Sequence, residues 1–162
     1  MKMIPPYIYK AIALFCAVSI NTAHAARDMV EPIFNQGVVA MYNWSQPSAV
    51  ADLINAMKVF TISGRNNALN ALEQSGLLQR ARKEDASCSG FVLQVPQIRE
   101  SVDRNGLLQW EVSAPIRITL KRGSKELVAI DVNATARITM DGAPGKGELK
   151  IDGLSFTENK AK

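Results

Sequence analysis

Few residues in this chain could do chemistry, and the pattern around them takes most away. His24 is the sole histidine, and the two cysteines are Cys16 and Cys88. His24 and Cys16 both fall in a segment patterned like an export leader. Lys2 and Lys10 give a positive start, Ala11 to Ile20 form an apolar stretch, and Ala23-His24-Ala25 puts small residues at cleavage spacing. This predicts a signal peptide over residues 1–25, cut between Ala25 and Ala26, and hence a periplasmic product. The apolar stretch is too short for the roughly twenty residues that span a bilayer as a helix. An uncleaved inner-membrane anchor from about Ile4 to Ala26 is the alternative, and it would carry Pro5, Pro6, Lys10, Asn21 and His24 through lipid. A lipid anchor on Cys16 is disfavoured by the bulky Phe15 before it.

Cleavage would leave a domain with no histidine and one cysteine. Ser-His-Asp and Cys-His catalysis, histidine general acids and His-based zinc sites are then all excluded. Cys88 has no base partner, so it reads as a small hydrophobe at the start of a strand, with a disulfide-linked dimer as the alternative. Glu84 and Asp85 sit in a charged run at a helix end. Glu111, Asp131, Asp141, Glu148 and Asp152 fall on outward strand positions or loops, with nothing pairing two of them in a cleft. Gly142-Ala-Pro-Gly145-Lys146-Gly147 lies between two strands, so it reads as a hairpin loop and not a phosphate cradle. No catalytic residue, metal ligand or cofactor site is expected. Lysine plus arginine number 19 against 15 acids, and two of those bases leave with the leader. A balance so near neutral does not predict nucleic-acid binding.

The rest of the chain divides by hydrophobic period. From Arg27 to about Asp85 the period is helical. Val30, Ile33, Phe34, Val38 and Met41 share one face, and Asn43 to Pro47 breaks that helix. Ser48 is the expected cap of a second helix with Val50, Leu53, Ile54 and Met57 as its apolar face. Ser63 is the expected cap of a third, with Ala68, Leu69 and Leu72 inward. Gly76 stands where a helix end wants a left-handed residue. A last helical stretch, Leu77 to Glu84, carries Arg80, Arg82 and Lys83 on a solvated side.

After Asp85 the period becomes two. Phe91, Leu93 and Val95 alternate with Val92 and Gln94 until Pro96. From Leu108 to Lys121, Trp110, Val112, Ala114, Ile116, Ile118 and Leu120 face one way, and Pro115 suggests an edge or a bulge. The next strand turns Val128, Ile130, Val132, Ala134, Ala136, Ile138 and Met140 inward. In the last, Gly147 to Phe156, parity slips near Asp152-Gly153, which predicts a bulge. The pattern therefore predicts an α+β fold: N-terminal helices packed on a curved antiparallel sheet of three to four strands. It forms one domain over residues 26–157, with a disordered tail at 158–162. Phe60, Trp110, Val112 and Ile130 are the expected core anchors. Trp44, Arg117 and Arg137 are the candidate interface residues, with junction packing as the other reading of Trp44. Glu111, Arg117, Lys121, Asp131 and Arg137 make a mixed-charge outer face whose simplest reading is solvated surface.

Several short runs carry a resemblance. Asn105-Gly-Leu-Leu-Gln-Trp110-Glu-Val112-Ser-Ala-Pro115-Ile-Arg-Ile-Thr-Leu120 is similar to the central strand of the DotI/IcmL family of type IVB secretion and conjugation proteins, which includes TraM of conjugative plasmids. Val59-Phe60-Thr61-Ile-Ser-Gly64 with Ala68-Leu69-Asn70-Ala71-Leu72 resembles that family's helix start. Val39-Ala40-Met41-Tyr42-Asn43-Trp44 resembles the end of its first helix. Val128 to Ile138 and Gly147 to Phe156 match its last two strands in spacing. The resemblance covers roughly residues 30–156. It implies a fold like the periplasmic domain of the inner-membrane assembly factor of type IVA systems, which is nuclear-transport-factor-like. It also implies a non-enzymatic scaffold that contacts inner-membrane secretion subunits and forms homo- or hetero-oligomers. Family members are typically held by a transmembrane helix near the N-terminus, where this chain shows a leader instead. A soluble paralogue would keep a role beside its anchored relatives and lose any role that spans the membrane.

Two other readings stand beside that one. A ligand-binding or inhibitor module could use the concave face of the sheet, although that face reads apolar throughout, with no polar group to orient a small molecule. A cell-wall glycan hydrolase would need two of the carboxylates named above in one cleft.

Overall fold

The structure, a computed structural model, describes residues 28–45, 48–142 and 147–158. The leader with its cleavage pair Ala25 and Ala26, most of the Pro-Gly loop and the end of the tail lie outside the described residues.

Helix α1 (residues 28–42) changes its winding along its length: α-helical over 28–34, π-helical over Asn35–Val39 and 3₁₀ over Ala40–Tyr42. Val30, Phe34, Val38 and Met41 are fully buried along it, which is the expected face. Then come α2 (Ala49–Ala56), a 3₁₀ turn (Met57–Val59), α3 (Ile62–Gln74) and α4 (Leu77–Glu84). Gly76 joins the last two helices in the left-handed region, at φ 66°.

The helix starts differ in detail from the expected ones. Ser48 stands before α2, but its hydroxyl makes no capping bond and donates instead to Asp52 Oδ2 at 2.7 Å. The cap of α3 is Thr61, two residues before Ser63. Thr61 is extended, and its hydroxyl oxygen accepts the Gly64 N–H at 3.0 Å. The expected inward face of α2 is also corrected. Met57 is buried, but Val50 and Ile54 are exposed, and it is Ala49 and Ala56 that meet the core.

Five strands form one antiparallel sheet: β1 (Ser87–Val92), β2 (Gln97–Val102), β3 (Leu108–Arg122), β4 (Lys125–Asp141) and β5 (Glu148–Glu158). The order is β1-β3-β4-β5, with β2 lying along β3 beyond the end of β1. Nothing in Gln97–Val102 alternates, because the strand is largely solvent-exposed, and so its sequence does not announce it. The parity of β1 is also opposite to a core-facing Phe91. Cys88 and Gly90 are buried, while Phe91, Leu93 and Val95 point outward.

Pro115 is neither at an outer edge nor in a bulge. It sits inside the central strand, where β1 ends opposite Ile116 and β2 begins opposite Ser113. Its missing N–H falls in the gap between those two strands, and its carbonyl still accepts from Leu93 N at 2.8 Å. The slip near Asp152 is a bulge as read. Arg137 pairs with Gly153 and Ile138 with Ile151, so Asp152 is the extra residue.

The core lies between the helices and one face of the sheet. From β3 it takes Trp110, Val112, Ala114, Ile116, Ile118 and Leu120, every residue of the expected stripe. Across from them stand Val132, Ala134, Ala136 and Ile138 of β4, whereas Val128 and Ile130 are partly buried and Met140 is exposed. Tyr42 at the end of α1 reaches across the sheet to Phe156 of β5, edge to face with ring centroids 5.7 Å apart.

The chain that leaves α1 protects the open side of β1. Trp44 exchanges two backbone hydrogen bonds with Cys88, at 3.1 and 2.9 Å. The Asn43 amide does the same with the Gly90 backbone, donating to its carbonyl and accepting from its N–H, both at 3.0 Å. One side chain thus stands in for a neighbouring strand. Asn43→Ala is expected to lose about 1–3 kcal/mol, since two backbone groups lose their partner. Denaturant unfolding would measure this, and amide exchange at Gly90 should quicken.

Candidate interaction surfaces

The residues singled out from sequence separate cleanly in the structure. Trp44 is 3% exposed and its indole N–H donates to the Met41 carbonyl at 3.1 Å. It plugs the junction between α1 and β1 and offers nothing to a partner, which corrects its reading as an interface residue. Phe60, Trp110 and Val112 are buried, and Ile130 is partly so. Arg117 and Arg137 are exposed on the outer face, each engaged within the chain. Arg117 holds Asp131 across the β3–β4 pair with two bonds, of 2.6 and 2.7 Å, and those bonds hold the Asp131 carboxyl below the usual carboxylate range.

The mixed-charge outer face is laid out in complementary pairs. Glu111 stands opposite Arg137, Arg117 opposite Asp131, and Lys121 opposite Glu126. Exposed pairs of this kind contribute little to stability and set the pattern that a visiting surface would meet.

Arg137 belongs to a more closely built piece of structure. Its guanidinium donates to Asp152 Oδ2 at 2.7 Å, and Asp152 Oδ1 accepts the Thr61 hydroxyl at 2.9 Å. Thr61 in turn caps α3 through Gly64 N–H. The bulge therefore turns Asp152 toward the start of α3 and links three elements through one carboxylate. Gly64 completes the docking. A Cβ at that position would run into the carbonyl oxygen of Ile151.

No group of three or more His, Cys, Asp or Glu that could hold a metal ion occurs among the described residues. Asp141 and Glu148 face each other in register at the end of the β4–β5 hairpin, a proximity the sequence did not suggest. Both are exposed, and Glu148 pairs with Lys150 at 3.0 Å, so they do not flank a cleft as a glycosidase pair must. Asp131 and Asp152 are each taken up by an arginine. Cys88 is buried, and burial pushes its thiol up to about 12. A disulfide between copies is thus closed to it in the folded state. Its alkylation at pH 8 should be about a thousandfold slower than that of an exposed thiol and should become fast on unfolding. A native-state rate near the free-thiol value would contradict this placement.

The concave face of the sheet, the pocket wall of the ligand-binding reading, is filled. Its side chains from Trp110 to Leu120 are the core itself. Open space lies instead at the margins. Asn67, Asn70, Gln74 and Ser155 line a polar cleft of about 350 Å³ between α3 and β5. A second cleft, of about 430 Å³, runs between α2 and α3 and is apolar. Val50, Leu53, Ile54, Met57 and Leu69 wall it, with Lys58 and Arg65 completing it. Sequence periodicity found this apolar face; the structure buries Met57, partly buries Leu53 and leaves Val50 and Ile54 open.

No family model matches the sequence, and no curated protein matches it. Solved structures do match its fold. The periplasmic domain of DotI superposes with a TM-score of 0.68 at 24% identity, covering 78% of this chain and 91% of that one. An IcmL-like type IV secretion system protein of Legionella pneumophila gives 0.69 at 18%, over 84% and 95%. A periplasmic fragment of TraM gives 0.73 at 16%, over 82% and 97%. The fold is the α+β arrangement of these three structures, as the sequence resemblance implied.

Proposed function

We propose that this chain is a member of the DotI/IcmL family and a non-enzymatic periplasmic component of a type IVB secretion or conjugative transfer apparatus. The observation that carries this reading is the match over nearly the whole length of three solved structures, two of them periplasmic pieces of DotI and TraM and the third an IcmL-like type IV secretion system protein. The residues support it from the other side. The concave face is filled by core, while the outer face keeps Glu111 and Lys121 exposed beside the Arg117–Asp131 pair, so surfaces are what the domain has to offer.

In this reading residues 1–25 are a leader removed between Ala25 and Ala26, and residues 26–157 act as one domain in the periplasm. No helix of the described residues is long and apolar enough to cross a membrane. The partners are inner-membrane secretion subunits, the anchored relatives among them, engaged without nucleic acid, cofactor or small-molecule substrate. The outer face around Arg117 and Glu111 is the contact region, because it is exposed, charged in both signs and stiffened by β3 and β4.

The test is photocrosslinking in cells that carry the whole apparatus. A photoreactive residue at Glu111 or Lys121 is expected to give discrete adducts with inner-membrane secretion subunits. The same residue at Gln79, exposed on α4 on the helical side of the sheet, serves as the comparison. Equal or absent labelling from both faces would count against the assignment.

A further inference from the structure

The apolar cleft between α2 and α3 has an exposed rim that a soluble domain does not ordinarily keep bare. Val50 is 61% exposed, Ile54 60%, Ile62 79% and Leu69 48%. Val50 and Ile54 lie one turn apart on α2, and Ile62 and Leu69 two turns apart on α3. A clustered patch of this kind marks a contact surface.

The charges beside it indicate what would cover it. Arg65, Leu69 and Glu73 recur every fourth residue of α3 and form one stripe. Arg65 spends its Nε–H on the Met57 carbonyl, at 3.1 Å. Neither Arg65 nor Glu73 enters an ion pair among the described residues, which pair Arg117, Arg122, Arg137 and Lys150 instead. An isologous contact requires that one surface complement itself. Two copies of α3 laid antiparallel about an axis at Leu69 meet that requirement. Residues 65 and 73 stand equally far on either side of 69, so each Arg65 comes to lie opposite the partner copy's glutamate. The chain's own N-terminal segment suits the cleft badly. Over residues 1–27 it carries Lys2, Lys10 and Arg27 and no carboxylate, which would set like charge against Lys58 and Arg65.

We propose that the chain forms a two-fold symmetric dimer through the α2–α3 face, with Leu69 at the axis and a reciprocal Arg65–Glu73 pair on each side of it. Val50 and Ile54 of each copy are buried alongside. This assignment does not rest on the secretion reading. A monomer bound to secretion subunits would overturn the dimer alone, and a dimer without such partners would overturn the secretion reading alone.

Sedimentation velocity of the purified chain over a range of concentrations tests it. A reversible monomer–dimer equilibrium is expected. Leu69→Asp with Ile54→Asp should give monomer with an unchanged circular dichroism spectrum, because both side chains are already exposed. Arg65→Glu and Glu73→Arg should each weaken dimerisation about tenfold, as expected for two reversed ion pairs at partly screened sites. Mixing these two variants should restore the dimer as a mixed species. The Glu73 side chain makes no hydrogen bond among the described residues, so the effect of Glu73→Arg does not depend on the Arg65 contact to Met57. A wild-type monomer at every concentration, with or without a different protein co-purifying on this face, overturns the proposal. So does a dimer indifferent to Leu69→Asp, or charge reversals that fail to compensate in the mixture.

Discussion

Replacing Gly64 with alanine should destabilise the domain by about 3 kcal/mol, at the upper end of what an overpacked methyl ordinarily costs. In an open helix the same change is favourable by nearly 1 kcal/mol, because glycine is the poorer helix former. The sign is therefore diagnostic of what lies beside α3. The new Cβ would meet the Ile151 carbonyl oxygen, and that carbonyl cannot swing aside, since it accepts the Thr61 N–H at 3.0 Å. Moving α3 outward would also pull Thr61 from Asp152 and undo the link through the bulge to Arg137. Chemical denaturation of Gly64→Ala beside Ser63→Ala, on the exposed side of the helix, separates the cases. The neighbour should be neutral or slightly stabilising. A Gly64→Ala variant as stable as the parent would mean that α3 does not sit against β5 in this way.

Trp110→Ala should cost about 3–5 kcal/mol and lower the melting temperature by on the order of 10–20 °C. The indole is 1% exposed, the bulkiest of the fully buried side chains. It sits on β3 between Glu100 of β2 and Ile138 of β4, and its N–H donates to the Glu100 carboxylate at 3.3 Å. Truncation leaves a cavity where the flanking strands cannot close in without giving up their register. Trp110→Phe keeps most of the volume and should cost about 1–2 kcal/mol. A calorimetric loss for alanine as small as that for phenylalanine would place Trp110 outside the core.

Much of this architecture is legible in sequence because the sheet obeys one rule. The inward stripe of β3 and the centre of β4 alternate with solvent-facing residues, and alternation survives wherever one face is buried and the other wet. The bulge at Asp152 shows as a break in that parity. Strand β2 escapes detection for the same reason, since it is exposed on nearly every residue and has no stripe to show. Thr61 and Ser63 are both good caps by type, and only the extended backbone at Thr61 and its bond to Asp152 decide between them.

The candidate surfaces were legible to a lesser degree. Periodicity reports that Val50, Leu53, Ile54 and Met57 share a face of α2, but it cannot report whether the cover comes from the same chain. Trp44 shows the converse: a tryptophan in a helix break reads as either a contact or a junction plug, and its backbone pairing with Cys88, which carries the ring inward, decides for the plug. The outer charges could be named but not matched, because Glu111 opposite Arg137 and Arg117 opposite Asp131 depend on a register that the hairpin sets.

The role beside secretion subunits is tested most directly by affinity purification of the tagged chain from crosslinked membranes of cells carrying the intact apparatus. Inner-membrane secretion subunits are expected to be enriched over a tagged periplasmic control, and to fall away when charges on the β3–β4 outer face are reversed. Recovery of the chain free of any of these subunits, from cells in which the apparatus is assembled, would contradict it.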